Sequence, residues 1–170
     1  EDDYFQSSLF TIARRRILWL LILVLANGLT TKVIAMNDQI LKEIVLLAAF
    51  IPLLIGTGGN VGAQSSTVVI RGLSTQKLKS LGAVKAVVKE AITGALLGVL
   101  MMLVVFPFAW WQGEGPLIAS AVGISLISIT TLAATTGAIL PLLFDKMRLD
   151  PALMSSPFIT TVTDIAGVFI

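Results

Sequence analysis

Apolar residues run in long blocks along this chain, and charged residues gather in the gaps between them. A helix needs about 20 apolar residues to cross about 30 Å of hydrocarbon. Four blocks meet that length: residues 17–36, with Lys32 near the outer end, 44–70, 91–111, with Pro107 as a potential bend, and 116–144. A fifth begins near Pro157 and is still apolar at Ile170. As a helix, those last residues would rise about 21 Å, which predicts a span that is half-inserted or continues beyond this sequence. The pattern predicts an all-α membrane protein with five transmembrane helices, residues 17–170, preceded by a connecting helix over 1–16.

Composition agrees. The chain is 56% hydrophobic and 13% charged, against about 25% charged in an ordinary soluble domain. The lipid bilayer is therefore its expected surroundings. Cysteine and histidine are both absent. That excludes disulfides, thiolate chemistry, the common zinc and copper ligands and the usual general base of a hydrolase. An enzyme is not expected. No basic, aromatic-rich patch for nucleic acid exists outside short loops.

The cations set an orientation. Arg14, Arg15 and Arg16 precede the first span, Arg71, Lys77, Lys79, Lys85 and Lys89 lie between the second and third, and Lys146 and Arg148 between the fourth and fifth. With five alternating spans all of these fall on one side, and only Lys32 and Lys42 on the other. The bias predicts a cytoplasmic N-terminus in the inner (plasma) membrane of the cell. Trp19, Trp110 and Trp111 sit near span ends, as interfacial aromatics do. Residues 1–16 and 74–89 are amphipathic and too short to span. Each reads as a helix lying along the inner interface or as a solvated connector. Residues 1–16 lack a signal-peptide cleavage pattern, and no internal repeat is visible.

Two constellations carry candidate chemistry. The first is Pro52-Leu-Leu-Ile-Gly56-Thr57-Gly58-Gly59-Asn60-Val-Gly62-Ala-Gln64, placed at membrane depth by its apolar flanks. Its glycines and proline make a regular helix costly. Irregular backbone survives at that depth only inside protein or beside water, so an opened turn exposing carbonyls toward an ion path is expected, with Gly58, Gly59, Asn60 and Gly62 along it. Close helix packing through small residues is the alternative. The second is Asp164, the only acid well inside a candidate span. Intramembrane acids are expensive and usually face a cavity or ion path. At helical spacing Ser156, Pro157, Thr160, Thr161 and Gly167 share its face. A hydroxyl-lined stripe with a carboxylate suits a hydrated cation. A protonated Asp bonded to a neighbouring helix is the alternative. The small and hydroxyl residues of the fourth span read as helix packing. Glu90 either favours the start of the third span or lines an inner vestibule. Asp150-Pro151 reads as a helix start.

Together these residues resemble the membrane domain of the MgtE family of magnesium channels. The resemblance covers nearly the whole chain. It rests on residues 52–64, Lys89-Glu90, Pro141 followed by Asp150-Pro151-Ala152, and Thr160-Thr161-x-x-Asp164. Family members often carry an amide where this chain has Ser156, and many have Asn where Ala63 stands. The resemblance implies a homodimer of five-helix protomers with spans two and five lining a pore at the dimer axis. It implies Asp164 as the principal selectivity acid, with Gly59, Asn60 and Thr160 contributing oxygen. It also implies cytoplasmic regulatory domains, which are not in this sequence: either an excised pore domain or a naturally short member.

Mg²⁺ is hard, prefers oxygen and gives up water reluctantly. The expected function is a divalent cation channel conducting hydrated Mg²⁺, with Mn²⁺, Co²⁺, Ni²⁺ and Ca²⁺ as other divalents of the same charge. Two other readings stay open. A proton- or sodium-coupled secondary transporter also uses broken helices and a membrane acid. A non-conducting anchor subunit would bond Asp164 internally.

Overall fold

In the computed structural model, which describes residues 9–36, 45–75, 78, 82–112 and 115–170, the regular elements are all α-helices. Five extended helices stand among the described residues: α1 (Leu9–Met36), α2 (Val45–Ser74), α3 (Ala83–Trp111), α4 (Gly115–Lys146) and α5 (Pro151–Phe169). Their order and number match the five apolar blocks. Their bounds differ where local chemistry extends a helix. No Gly or Pro separates Leu9 from Ile17, so the expected connector is, from Leu9 on, one helix with the first block. Residues 1–8 lie outside the described residues. In the same way α3 takes in 83–89, the second half of the other amphipathic segment. Helix α5 starts six residues before Pro157 because Asp150 caps it. The Ala152 N–H donates to Asp150 Oδ1 at 2.9 Å, and Pro151 occupies the first helical position, where its missing N–H costs nothing. As a result α5 rises about 28 Å, close to the hydrocarbon thickness.

The breaks between helices have equally local causes. Gly82 (φ 85°) and Gly115 (φ 77°) precede α3 and open α4 in the left-handed region, which glycine enters without steric cost. After α4, Leu149 N–H donates to the Phe144 carbonyl at 2.9 Å and Arg148 N–H to that of Asp145 at 3.0 Å. This is a Schellman stop with Arg148 (φ 58°) in the position glycine usually takes.

One expectation is overturned. Residues 52–64 are not an opened turn: α2 runs unbroken through Pro52 and all four glycines. What offsets the poor helix propensity is close packing. Gly58 faces Ile129 and Thr163, and a methyl at Gly62 would come within 2.5 Å of Ile159 and 3.2 Å of the Ala133 carbonyl oxygen. Small residues let helix backbones approach where hydrocarbon supplies no hydrophobic drive between helices.

Helix α4 is the centre of the bundle and packs on α3, α2 and α5, while α2 also packs on α5 and, among the described residues, α1 touches only α5. Its buried line, Ala119, Val122, Leu126, Ile129, Ala133, Ala134 and Ala138, is mostly small or aliphatic. Thr130 is fully buried there and returns its hydroxyl to the Leu126 carbonyl at 2.7 Å, so this hydroxyl serves packing. Contacts also fix direction. Gly94 lies beside Thr130 and Ala134, and Met102 beside Gly123, so α3 and α4 are antiparallel. Gly58 and Gly62 meet Ile129 and Ala133, so α2 and α4 are parallel. Ile55, Gly58 and Gly62 meet Gly167, Thr163 and Ile159, so α5 is antiparallel to α2. From α2 to α5 direction therefore alternates. The C-termini of α2 and α4 and the N-termini of α3 and α5 share one end, where Leu73, Ser74, Leu78, Gly82, Ala83, Leu142 and Asp145 enclose a cavity of about 420 Å³.

Among the described residues, α3 and α4 each hold an apolar stretch long enough to cross a membrane. The outward faces are built for lipid. Val84, Val88, Ile92, Leu96, Leu100, Leu103 and Val104 form an exposed apolar stripe along α3, and Leu20, Leu21, Val24, Leu25 and Leu29 are exposed on α1. Exposed apolar stripes of this length mark surfaces that contact a membrane or another protein. Trp110 and Trp111, both exposed, close α3 at one end, where an aromatic belt is expected.

Candidate functional site

Helix α2 has two kinds of face. Phe50, Leu54, Gly58, Val61, Gly62, Ser65, Ser66 and Val69 are buried against the bundle. Pro52, Gly56, Asn60, Ala63, Gln64, Thr67, Val68 and Arg71 are exposed. Steps of three and four along the second set keep it on one side of the helix. At its centre this open face is polar, unlike the open faces of α1 and α3. Asn60, Ala63, Gln64, Thr67, Val68 and Arg71 line a cavity of about 780 Å³. A second cavity of about 350 Å³ shares Ala63 and Thr67 and reaches α5 through Ala152, Ser156, Ile159 and Thr160, with Gly59, Ser66 and Ile70 on the α2 side.

The sequence-predicted residues separate in this frame. Asn60 and Thr160 are exposed and Gly59 half-buried, each on one of the two cavities. Nothing lies within 4 Å of where a Gly59 side chain would start, so that glycine keeps space open. Ser156 is exposed on the shared groove. Gly58 and Gly62, expected along the path, are instead buried in contact with α4 and α5. They face the bundle because they stand two residues either side of Asn60, on the opposite side of an intact helix. Gly167 likewise packs on Ile55 rather than joining a polar stripe. Pro157 and Thr161 are half-buried. Glu90 is half-buried on α3, which barely meets α2 and does not meet α5, so it is remote from the groove.

Asp164 is half-buried on α5. The contacts of its neighbour Thr163 with Gly58, and of Gly167 with Ile55, set it level with Thr57 and Gly58, about a turn from Asn60 along the pair. Ala152, Ser156 and Thr160 continue its side of α5 at intervals of four. Among the described residues no three acids, histidines or cysteines cluster. The site is a single carboxylate with amide and hydroxyl groups ranged along one direction from it.

The hydroxyls have a common arrangement. Thr67 Oγ1 donates to the Ala63 carbonyl at 2.8 Å, Thr160 Oγ1 to that of Pro157 at 2.9 Å, and Thr161 Oγ1 also to Pro157 at 2.8 Å. With the proton engaged in its own helix, each oxygen offers only lone pairs outward. Such a surface accepts hydrogen bonds from the waters of a hydrated cation. Pro52 and Pro157 stand inside α2 and α5, and each, lacking an N–H, leaves the carbonyl four residues earlier without its usual helical partner.

Thr67, Arg71 and Ala152 were not singled out from the sequence as parts of a site. The signal existed as the helical interval from Asn60 through Gln64 to Arg71, but it is legible only if residues 52–64 are helical.

Residues 51–170 match the family model MgtE, described as divalent cation transporter. The chain belongs to the MgtE family. It is 37% identical over 155 residues to the magnesium transporter MgtE of Thermus thermophilus, covering 91% of this chain and 34% of that protein. The magnesium transporter MgtE of Bacillus subtilis is 33% identical over 171 residues, covering 100% and 38%. That of Enterococcus faecalis is 35% identical over 162 residues, covering 93% and 35%. The chain thus spans about a third of the length of these curated relatives. The MgtE match takes in α2 through α5 almost whole, including both cavities and Asp164.

Proposed function

We propose that this chain is a pore domain that conducts hydrated Mg²⁺ across the membrane, with Asp164 as its cation-selecting acid and Asn60, Gly59 and Thr160 supplying neighbouring oxygen. One observation carries the reading: the polar open face of α2 and the Ser156–Thr160 side of α5 line two cavities that share Ala63 and Thr67, and Asp164, which lines neither, stands one turn beyond Thr160 on the same side of α5. The relatives named as magnesium transporters support the choice of ion. The alternating directions of α2 to α5 and the cations at their shared end support five spans with a cytoplasmic N-terminus in the plasma membrane. The open polar face of α2 is read as one half of a pore, and the reading therefore includes a homodimer in which two such faces meet and two Asp164 carboxylates approach a common axis. Two like charges there repel, and a divalent cation between them reverses that penalty, which favours divalents over monovalents. Binding through water rather than by stripping it keeps affinity modest, as flux requires.

The test is divalent flux through the purified chain in liposomes at fixed membrane potential, without a proton or sodium gradient. Asp164→Asn should abolish Mg²⁺ flux and leave the thermal unfolding of the protein within a few degrees of the parent. Undiminished flux in that variant removes Asp164 from the pathway. Flux that appears only with an imposed gradient replaces the channel by a coupled transporter.

A further inference from the structure

We propose that Arg71 forms an electrostatic barrier at the inner end of the pathway and holds divalent flux down. The inference rests on the pore reading above and adds a residue that works against the acid. Arg71 is exposed and lines the same cavity as Asn60, Ala63, Gln64 and Thr67. It stands eleven residues beyond Asn60, about 17 Å along the helix, on the same side of α2. Guanidinium is charged at every physiological pH. A divalent ion leaving or entering by this face therefore passes one fixed positive charge per protomer, and feels twice the repulsion a monovalent ion does.

Arg71 also stands in the last turn of α2, where a cation complements the helix dipole. That role does not account for its place. The Arg71 carbonyl already accepts from Ser74 Oγ at 3.0 Å, Thr75 Oγ1 at 2.8 Å and Thr75 N–H at 3.1 Å. A dipole contribution would be as well served from any side of the turn. The other described cations of this end, Lys85 and Lys89 on α3 and Lys146 and Arg148 at the end of α4 and beyond, do not line either groove cavity. Among the described residues Arg71 alone puts positive charge there.

The chain has no cysteine, which makes the test direct. The whole chain is reconstituted in liposomes as parent, Arg71→Gln, Arg71→Lys and Arg71→Cys, with Asp164→Asn beside them. At about 0.01 M ionic strength Arg71→Gln should raise Mg²⁺ flux about two- to tenfold, and the gain should shrink toward unity at about 0.15 M, as the Debye length falls from about 30 to about 8 Å. Arg71→Lys should match the parent. On one folded sample of Arg71→Cys, a cationic thiosulfonate should return flux to the parental level and an anionic one should raise it. Equal flux in Arg71→Gln and parent at low ionic strength overturns the barrier, as does a gain indifferent to salt and reagent charge. Undiminished flux in Asp164→Asn overturns the pore reading beneath it, a separate outcome.

Discussion

Gly137 of α4 lies directly against the backbone of Gly62 on α2, and a methyl group on Gly137 would come within 3.1 Å of the Gly62 Cα and closer still to its carbonyl. Two helices meet there with no side chain between them. That contact holds the bundle side of α2 down and so fixes which of its faces stays open.

Gly137→Ala and Gly62→Ala should each destabilise the protein by about 1–3 kcal/mol, because the added methyl meets backbone or a packed Ile rather than a flexible side-chain end. Gly56→Ala should be neutral or stabilise by up to about 1 kcal/mol, since nothing lies within 4 Å of its missing side chain and alanine is the better helix former. Thermal unfolding of the three variants in one detergent checks the order. A Gly137→Ala variant as stable as the parent would contradict the contact.

The two faces of α2 can be read chemically. Single cysteines at Asn60, Gln64 and Thr67 should react with a water-soluble thiol reagent in liposomes, and cysteines at Val61, Ser65 and Val69 should not, given their burial. The sharpest pair is Gln64 against Ser65, adjacent in sequence and opposite in exposure. Uniform labelling through 60–69 would restore the unwound segment.

The turn between α4 and α5 separates two local terms. Asp150→Ala should cost about 1 kcal/mol by removing the cap on Ala152 N–H, and Asp150→Asn should recover most of it. Arg148→Gly should gain about 1 kcal/mol, since a non-glycine residue in the left-handed region is strained by about that amount. Equilibrium unfolding measures both. Because neither residue lines the groove cavities, Mg²⁺ flux per folded protein should not change.

The helices were legible in the sequence wherever a long apolar run had a chemical stop. Asp150-Pro151 announced α5, and the fourth block gave α4 nearly to its ends. Asp164, Asn60 and Thr160 stood out because polar groups at membrane depth are costly. The error lay at residues 52–64. Glycine has two opposite uses, freeing a backbone and letting two backbones touch, and its local sequence is the same in both. Only knowing that Ile129, Ala133, Ile159 and Thr163 come up against those glycines selects the second.

The sequence by itself determined that this chain is a set of apolar helices for a bilayer, with one acid set among hydroxyls, because transfer of side chains into hydrocarbon depends on composition and run length alone. The tertiary structure decided that α2 stays whole, that Gly58 and Gly62 turn inward, and that Asn60, Gln64, Thr67 and Arg71 share an open face. Those are matters of which backbone lies against which. Contacts between residues some 70 to 100 positions apart settle them, and no local pattern encodes such contacts.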